Sequence, residues 1–531
     1  MDFVLIHVGA MVSTLLFLAL LCNLWRKHPR TKSNNVKKTS SPPQPIGAWP
    51  IVGHLHLLNC QNHIAQALAA LADKYGPTFT LQLGMQRAVF VSSHEAIKEW
   101  FTVKDKLFAH RPKSSAGEHL VYNNNYNNHE ADFGFKDGPY WSEMRKLLSL
   151  EAISKHSNKI GVYDVINTSI GRLYFGAKSA RPVKVIIRHW VEEMTSDIVV
   201  RLIVGKRYEI GDRASEEESF RRLIREVAEL SGQFVPSDVI PIPLLRWMDF
   251  GGKIKDMKRV SKELECLIED WIDGHDFFEK RLTRGEGTDD WCFLDVMLSS
   301  VDDRFKFIAP QETIIKTFVV SMMSLVQSCM QNVILGLDTT SVYLTRLLSA
   351  VISNKEVMKL AQEEIDMKVG KQRWVQESDL NDLPYLYAVI KETLRLYPPL
   401  PLTLPHEASE NCQLSGYLIP KGTQLFVNLW KLHRDPQFWP EPEKFMPERF
   451  LKGHNEDGVD FIPFGCGRRS CPGATFALRV VGFAMARLLH GFDFAAPVCM
   501  DEGLFDITTA KANPVEMMVN PRLSSQLYEQ L

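Results

Sequence analysis

Residues 461–473 read FIPFGCGRRSCPG, and within them Phe464, Gly467, Arg469, Cys471 and Gly473 stand in the spacing F-x-x-G-x-R-x-C-x-G. Cys471 lies just ahead of an apolar stretch of helical periodicity that begins at residue 474. The amides and dipole of such a helix N-terminus favour thiolate, the form of cysteine that ligates metals and attacks electrophiles. Two other uses stay open. Cys471 could be a buried structural cysteine with Arg469 in a surface ion pair. Cys466 and Cys471 also make a C-x4-C, as in plant-type iron–sulfur proteins, although the C-x2-C that should follow is missing.

Other pairs have spacings that matter. Glu392 and Arg395, in KETLRLYPP, share one face of a helix, and on a solvated surface such a pair is worth almost nothing. Trp141 and Arg145, in GPYWSEMR, are one helical turn apart; the plain reading is an arginine stem packed on an aromatic. Asp338 and Thr339, in LGLDTT, place an acid beside a hydroxyl, a pair suited to proton delivery. A helical threonine also bonds its own i−4 carbonyl, which is the ordinary reading for Thr340.

The cysteine loop, the E-x-x-R and the P-E-R-F of FMPERF (445–450) occur in an order that resembles the cytochrome P-450 superfamily of haem-thiolate monooxygenases. The likeness runs through essentially the whole chain. GAWPIVGHLHLL (47–58), VGKRY (204–208) and ARLLHGFDF (486–494) are most similar to the plant family numbered eighty-two, whose members oxidise alkaloids, coumarins, flavones and terpenoid precursors. The resemblance implies haem b as cofactor and Cys471 as its axial ligand, a thiolate that pushes electron density onto iron. Gly465 and Gly467 would let the loop lie flat against the porphyrin, and Gly473 would let backbone approach it. Arg469, Trp141, Arg145 and Arg434 would donate to the haem carboxylates. Glu392, Arg395 and Arg449 would form the structural triad behind the loop. Thr339 would hold dioxygen, Asp338 would feed protons, and Gly336 would leave room for oxygen.

Implied partners are O2, a small lipophilic substrate, membrane lipid and an NADPH–cytochrome P-450 reductase docking near Arg468 and Lys146. Substrate contacts would come from the polar stretch Tyr122–His129, from 228–250, from the central helix and from Leu400–Pro405. Three departures from the family stand out: Leu335 where Ala or Gly is usual, a segment from Lys316 to Asp338 that is longer than in plant relatives by about ten residues, and a short Lys452–Asp460. Two rival readings keep the fold: a haem-thiolate isomerase or dehydratase that needs no reductase, and a haem-binding protein with impaired catalysis.

The elements that must position these residues are also legible. Phe3 to Trp25 contains no Asp, Glu, Lys or Arg and is long enough to cross a bilayer, and Arg26, Lys27, Arg30, Lys32, Lys37 and Lys38 follow it. The expectation is a transmembrane anchor over 1–25, with the rest of the chain cytosolic on the endoplasmic reticulum. A basic, proline-rich linker over 26–50 and a catalytic body over 51–531 should follow. With a cytosolic body, the Asn167-Thr168-Ser169 sequon should carry no sugar. A β-hairpin is predicted from 79–84 and 88–93. Helical periodicity recurs at 141–150, 185–204, 216–231, 254–282, 311–353, 355–367, 384–397 and 474–490, which predicts a mainly α fold with a small β lobe. The uncharged Thr317–Leu337 reads as a buried helix, since its Ser, Gln and Asn residues would be costly in lipid.

Composition excludes other classes. The 531 residues are 45% hydrophobic and 24% charged, which excludes a disordered chain. Sixty-two basic against 63 acidic residues leave a net charge of -1 and no field for nucleic acid. Nine scattered cysteines do not read as a disulfide framework.

Overall fold

The structure is a computed structural model that describes residues 41–58, 64–121, 141–142, 145, 161–176, 183–204, 214–233, 235–240, 242–273, 292, 336, 339–451, 458–495 and 516–531. The expected anchor and the first part of the linker lie outside them, as do Asp338, Leu335, Lys146 and the stretch Tyr122–His129. Among the described residues no helix is long and apolar enough to cross a membrane.

The chain forms two compact units. The first takes Met1–Pro112, Val235–Phe250 and Leu402–Lys431. Strands β1 (Thr78–Leu83) and β2 (Gln86–Val91) make the expected antiparallel hairpin, with Phe79 opposite Phe90 and a two-residue turn in which Gly84 takes φ +59°. The second strand begins two residues earlier than its apolar run does, because Gln86 and Arg87 pair with Leu83 and Gln82. The last residues of the proline-rich linker are tied to this unit. The Pro43 carbonyl accepts from the Thr80 amide at 2.8 Å, and the Pro45 carbonyl meets His54 Nε2 at 2.9 Å.

The second unit takes Lys113–Phe234, Gly251–Pro401 and Leu432–Leu531. It is largely helical. Its long helices are α1 (Val162–Gly176), α2 (Ile187–Val204), α3 (Ala214–Ser231), α4 (Lys253–Asp273), α5 over 339–353, α6 (Lys355–Val369), α7 (Pro384–Leu396) and α8 (Ala474–Gly491). Helix α1 has no counterpart among the predicted periodicities; the others follow theirs with small shifts, although the predicted continuation of α4 to 282 and most of 311–338 ahead of α5 lie outside the described residues. The helix expected from 185 instead starts at Ile187, because 183–186 forms a strand that pairs with Glu516–Pro521, which in turn pairs with Phe492–Ala495. The 183–186 strand has no local signature, because its partner lies more than 300 residues away in sequence.

Helices α1, α2, α5, α6, α7 and α8 bury their apolar faces in one core cluster. Helix α7 carries Glu392 and Arg395 and shows how its start is specified. Pro384 occupies the first turn, where an amide would have no partner, and the Glu364 carboxylate accepts from the amides of Tyr385 and Leu386 at 2.8 and 2.9 Å. Helix α8 is buried at every position from Val480 to Gly491 and begins shortly after Cys471.

Candidate active site

The cysteine loop is a sequence of tight turns closed by backbone bonds. Gly465 N–H donates to the Ile462 carbonyl at 2.9 Å, Ser470 N–H to Gly467 at 3.1 Å, and Cys471 N–H to Phe464 at 2.8 Å. Gly465 and Gly467 sit at φ +72° and +68°, the left-handed region in which a side chain would be strained. A 3-10 turn over Gly467–Arg469 then delivers Cys471 to the start of α8, whose Ala477 amide returns to the Gly473 carbonyl at 2.8 Å. A Cβ built on Gly473 meets no atom within 4 Å, so backbone there is open to a flat ligand.

Three aromatic and basic side chains gather at this loop. Arg145 donates through Nη2 to the Ser470 carbonyl and, at 3.3 Å, to Ser470 Oγ. The buried Trp141 ring lies 5.8 Å from the Arg145 guanidinium and 4.4 Å from that of Arg469. Burial lowers the Arg145 pKa, and the adjacent Cys471 opposes that effect.

Cys471 has accessible surface, yet enough protein surrounds it that burial pushes its thiol above the ordinary value. The amides of Gly473 and Ala474 and the Arg145 charge pull it down without cancelling the burial. This qualifies the expectation of a thiol acidified by its helix: the amides are in place and are outweighed. Metal coordination, which deprotonates a thiol outright, supplies the rest. The donor set is one soft sulfur, a side-chain-free approach at Gly473 and two guanidiniums on one tryptophan. It fits an iron porphyrin with two carboxylates.

Behind the loop, Glu392 and Arg395 are fully buried. Arg395 Nε and Nη2 grip the Glu392 carboxylate at 2.8 and 2.9 Å, and Arg449 Nε reaches it at 3.1 Å. The Met446 amide adds a fourth donor at 2.8 Å. Arg395 Nη1 also donates to the carbonyls of His433 and Pro442, both at 2.8 Å. The structure thus brings Arg449, from a separate segment, to the Glu392–Arg395 pair of α7. Arg434, expected at the haem carboxylates, here donates to the Leu396 carbonyl at 2.7 Å and to Glu443 at 3.0 Å, clamping the C-terminus of α7.

Sequence reasoning missed His433. It is fully buried, and its Nε2 accepts from the Ile462 amide at 3.2 Å, so it links the carbonyl gripped by Arg395 to the first turn of the cysteine loop. Burial, then the Arg395 and Arg434 charges, pushes its pKa down to about 3, which leaves the ring neutral and able to accept. No motif marks it; a histidine between Leu432 and Arg434 in LWKLHRDP carries no periodic signal. His433→Leu should strand the buried Ile462 amide at a cost of roughly 1–3 kcal/mol, read as faster haem loss. Because the folded pKa lies below the unfolded one, the stability contributed by the neutral ring is present above about pH 6.5 and is lost as pH falls toward about 3. His433→Gln should therefore flatten the acid limb of haem retention; an unchanged limb would remove His433 from this role.

On α5 the predicted oxygen site is only partly described. Thr339 and Thr340 both donate to the Gly336 carbonyl, at 3.2 and 2.8 Å. A Cβ on Gly336 would meet no atom within 4 Å.

The cytochrome P450 family profile matches residues 42–513. The chain belongs to the cytochrome P450 family. Among curated proteins, this P450 is 43% identical to the vinorine hydroxylase of Rauvolfia serpentina, with 99% of each chain covered. It is 39% identical to the nicotine N-demethylase CYP82E4 of Nicotiana tabacum, over 98% of this chain and 99% of that one. Among solved structures, a zebra fish cytochrome P450 with progesterone superposes with a TM-score of 0.69 at 23% identity, covering 86% of this chain and 99% of that one, a likeness of fold. The protein is accordingly a plant P450 monooxygenase of the kind numbered eighty-two, with haem b as its cofactor.

Proposed function

We propose that this P450 inserts one oxygen atom of O2 into a small lipophilic plant specialised metabolite, with an alkaloid as the first substrate to test, using electrons from NADPH passed on by a membrane-bound reductase. The arrangement of Cys471, Arg145, Arg469 and Trp141 around one loop carries the reading. Bound there, haem supplies the oxygen-activating chemistry, favoured by a thiolate ligand. The chain supplies the rest. Cys471 ligates, and Arg145 and Arg469 balance the porphyrin carboxylates while Trp141 holds both guanidiniums in place. Thr339 positions a hydroxyl on α5, and Asp338 beside it relays protons from water. Phe464, on the partly buried side of the loop, packs into the core and keeps the loop from moving away.

The alkaloid class rests on vinorine hydroxylase and nicotine N-demethylase. The anchor over residues 1–25 would hold the enzyme on the endoplasmic reticulum beside its reductase, with Arg468 contributing to the basic docking face.

Reconstitution with a plant reductase and a panel of indole and pyridine alkaloids, flavones and coumarins tests this. Under isotopically heavy dioxygen, each NADPH-dependent turnover should place one labelled oxygen atom in the product or, for a dealkylation, in the aldehyde released. Product formation without NADPH, or turnover in which neither product nor released aldehyde carries label, would favour the isomerase or dehydratase reading.

A further inference from the structure

Helix α8 carries an arginine in a setting that haem chemistry does not explain. Arg487 is 7% exposed, and its guanidinium lies between the Trp374 and Phe483 rings, 5.1 and 5.0 Å from their centroids. Its Nε and Nη1 are buried without a hydrogen-bond partner, and no ion pair joins it to a carboxylate among the described residues. Burial pulls its pKa down to about 10, with only Asp379 opposing. That carboxylate is already held by Arg373, through Nη1 at 2.6 Å and Nη2 at 2.9 Å, and by the Gln376 amide at 2.7 Å.

Arg487 lines a cavity of about 320 Å³ whose wall also includes Asn167, Arg373, Trp374, Gln376 and Gln530. Every one of these belongs to the second unit. The wall is cationic and amide-rich. Thirteen residues of helix, about 20 Å, separate Ala474 from Arg487, so the cavity is distinct from the cysteine loop.

Rings satisfy the faces of a guanidinium but neutralise none of its charge, and a buried cation left without a counter-ion is costly. We propose that this cavity is a binding site for a small free oxyanion, a phosphate or carboxylate, seated against Arg487 and the amides of Gln376 and Gln530. The cavity is at the lower end of the size that binds small ligands.

The haem-loaded full chain, in zwitterionic nanodiscs, is melted with inorganic phosphate replacing chloride at constant ionic strength. Phosphate stabilises proteins non-specifically as well, so the readout is the difference between wild type and Arg487→Met, which keeps that background. The rise in Tm of wild type should be saturable and larger than that of Arg487→Met by about 1–3 °C, as mass action requires of a ligand that binds only the folded state. Gln530→Glu, which leaves Arg487 intact and tethers a carboxylate in the cavity, should melt higher in chloride and lose the phosphate response. Equal responses in all three proteins, or no saturable response in wild type, would overturn the site. A response that vanishes only in phosphatidylserine nanodiscs would assign the cavity to a lipid headgroup and overturn the free-anion assignment.

Discussion

Glu392→Gln should destabilise the protein by roughly 3–5 kcal/mol, a fifth or more of the stability of an ordinary domain. The carboxylate is the common acceptor for Arg395, Arg449 and the Met446 amide, and it has no exposed surface. A glutamine keeps the shape and one acceptor oxygen but leaves two guanidiniums in the interior without a counter-charge. The loss should propagate. Arg395 holds the carbonyl of His433, and the His433 ring holds the first turn of the cysteine loop, so haem should leave faster than global unfolding alone explains. Arg395→Lys should not rescue, because an ammonium cannot make the two-pronged grip on Glu392 while also reaching the carbonyls of His433 and Pro442. A melting temperature and haem half-life equal to wild type for Glu392→Gln would show that the triad contributes little.

How much of the molecule is legible in its sequence follows from the range of the signals. The hairpin of Phe79 and Phe90, the helix over Ala474–Gly491 and the turns of the cysteine loop are local, set by alternation, helical periodicity and glycine placement, and they can be read directly. Arg449 can be attached to Glu392 only through a family resemblance, because 57 residues separate them and no periodicity spans that gap. His433 and the strand over 183–186 are not legible. Each is defined by a partner far along the chain, Ile462 in one case and Glu516–Pro521 in the other. Arg487 sits inside a phrase that carries the family resemblance and has no signal of its own; its burial between two rings beside a cavity depends on Trp374, which is brought in from another segment. The thiol of Cys471 shows the opposite limit. The helix amides are readable from the sequence, but the burial that outweighs them is a property of the assembled loop.

Cys471→Ser should lower turnover by more than about 100-fold, since even the groups that merely orient a metal ligand are worth about 10–100-fold. A hydroxyl in place of the thiol keeps the backbone bonds of the loop, which use the Phe464 carbonyl and the residue 471 amide, so the protein should still fold. What it removes is the thiolate beside Arg145 and the α8 amides. Cys466→Ser should leave turnover within a few-fold of wild type. A Cys466→Ser enzyme as inactive as Cys471→Ser would reopen the question of which sulfur ligates.

The bond itself can be observed. Resonance Raman spectroscopy of the haem-loaded protein, prepared with natural and heavy-sulfur cysteine, should show an iron–sulfur stretch that shifts with the isotope in wild type and in Cys466→Ser and is absent in Cys471→Ser. An isotope-sensitive band that survives in Cys471→Ser, or wild-type haem with no such band, would contradict the assignment of Cys471 as the axial ligand.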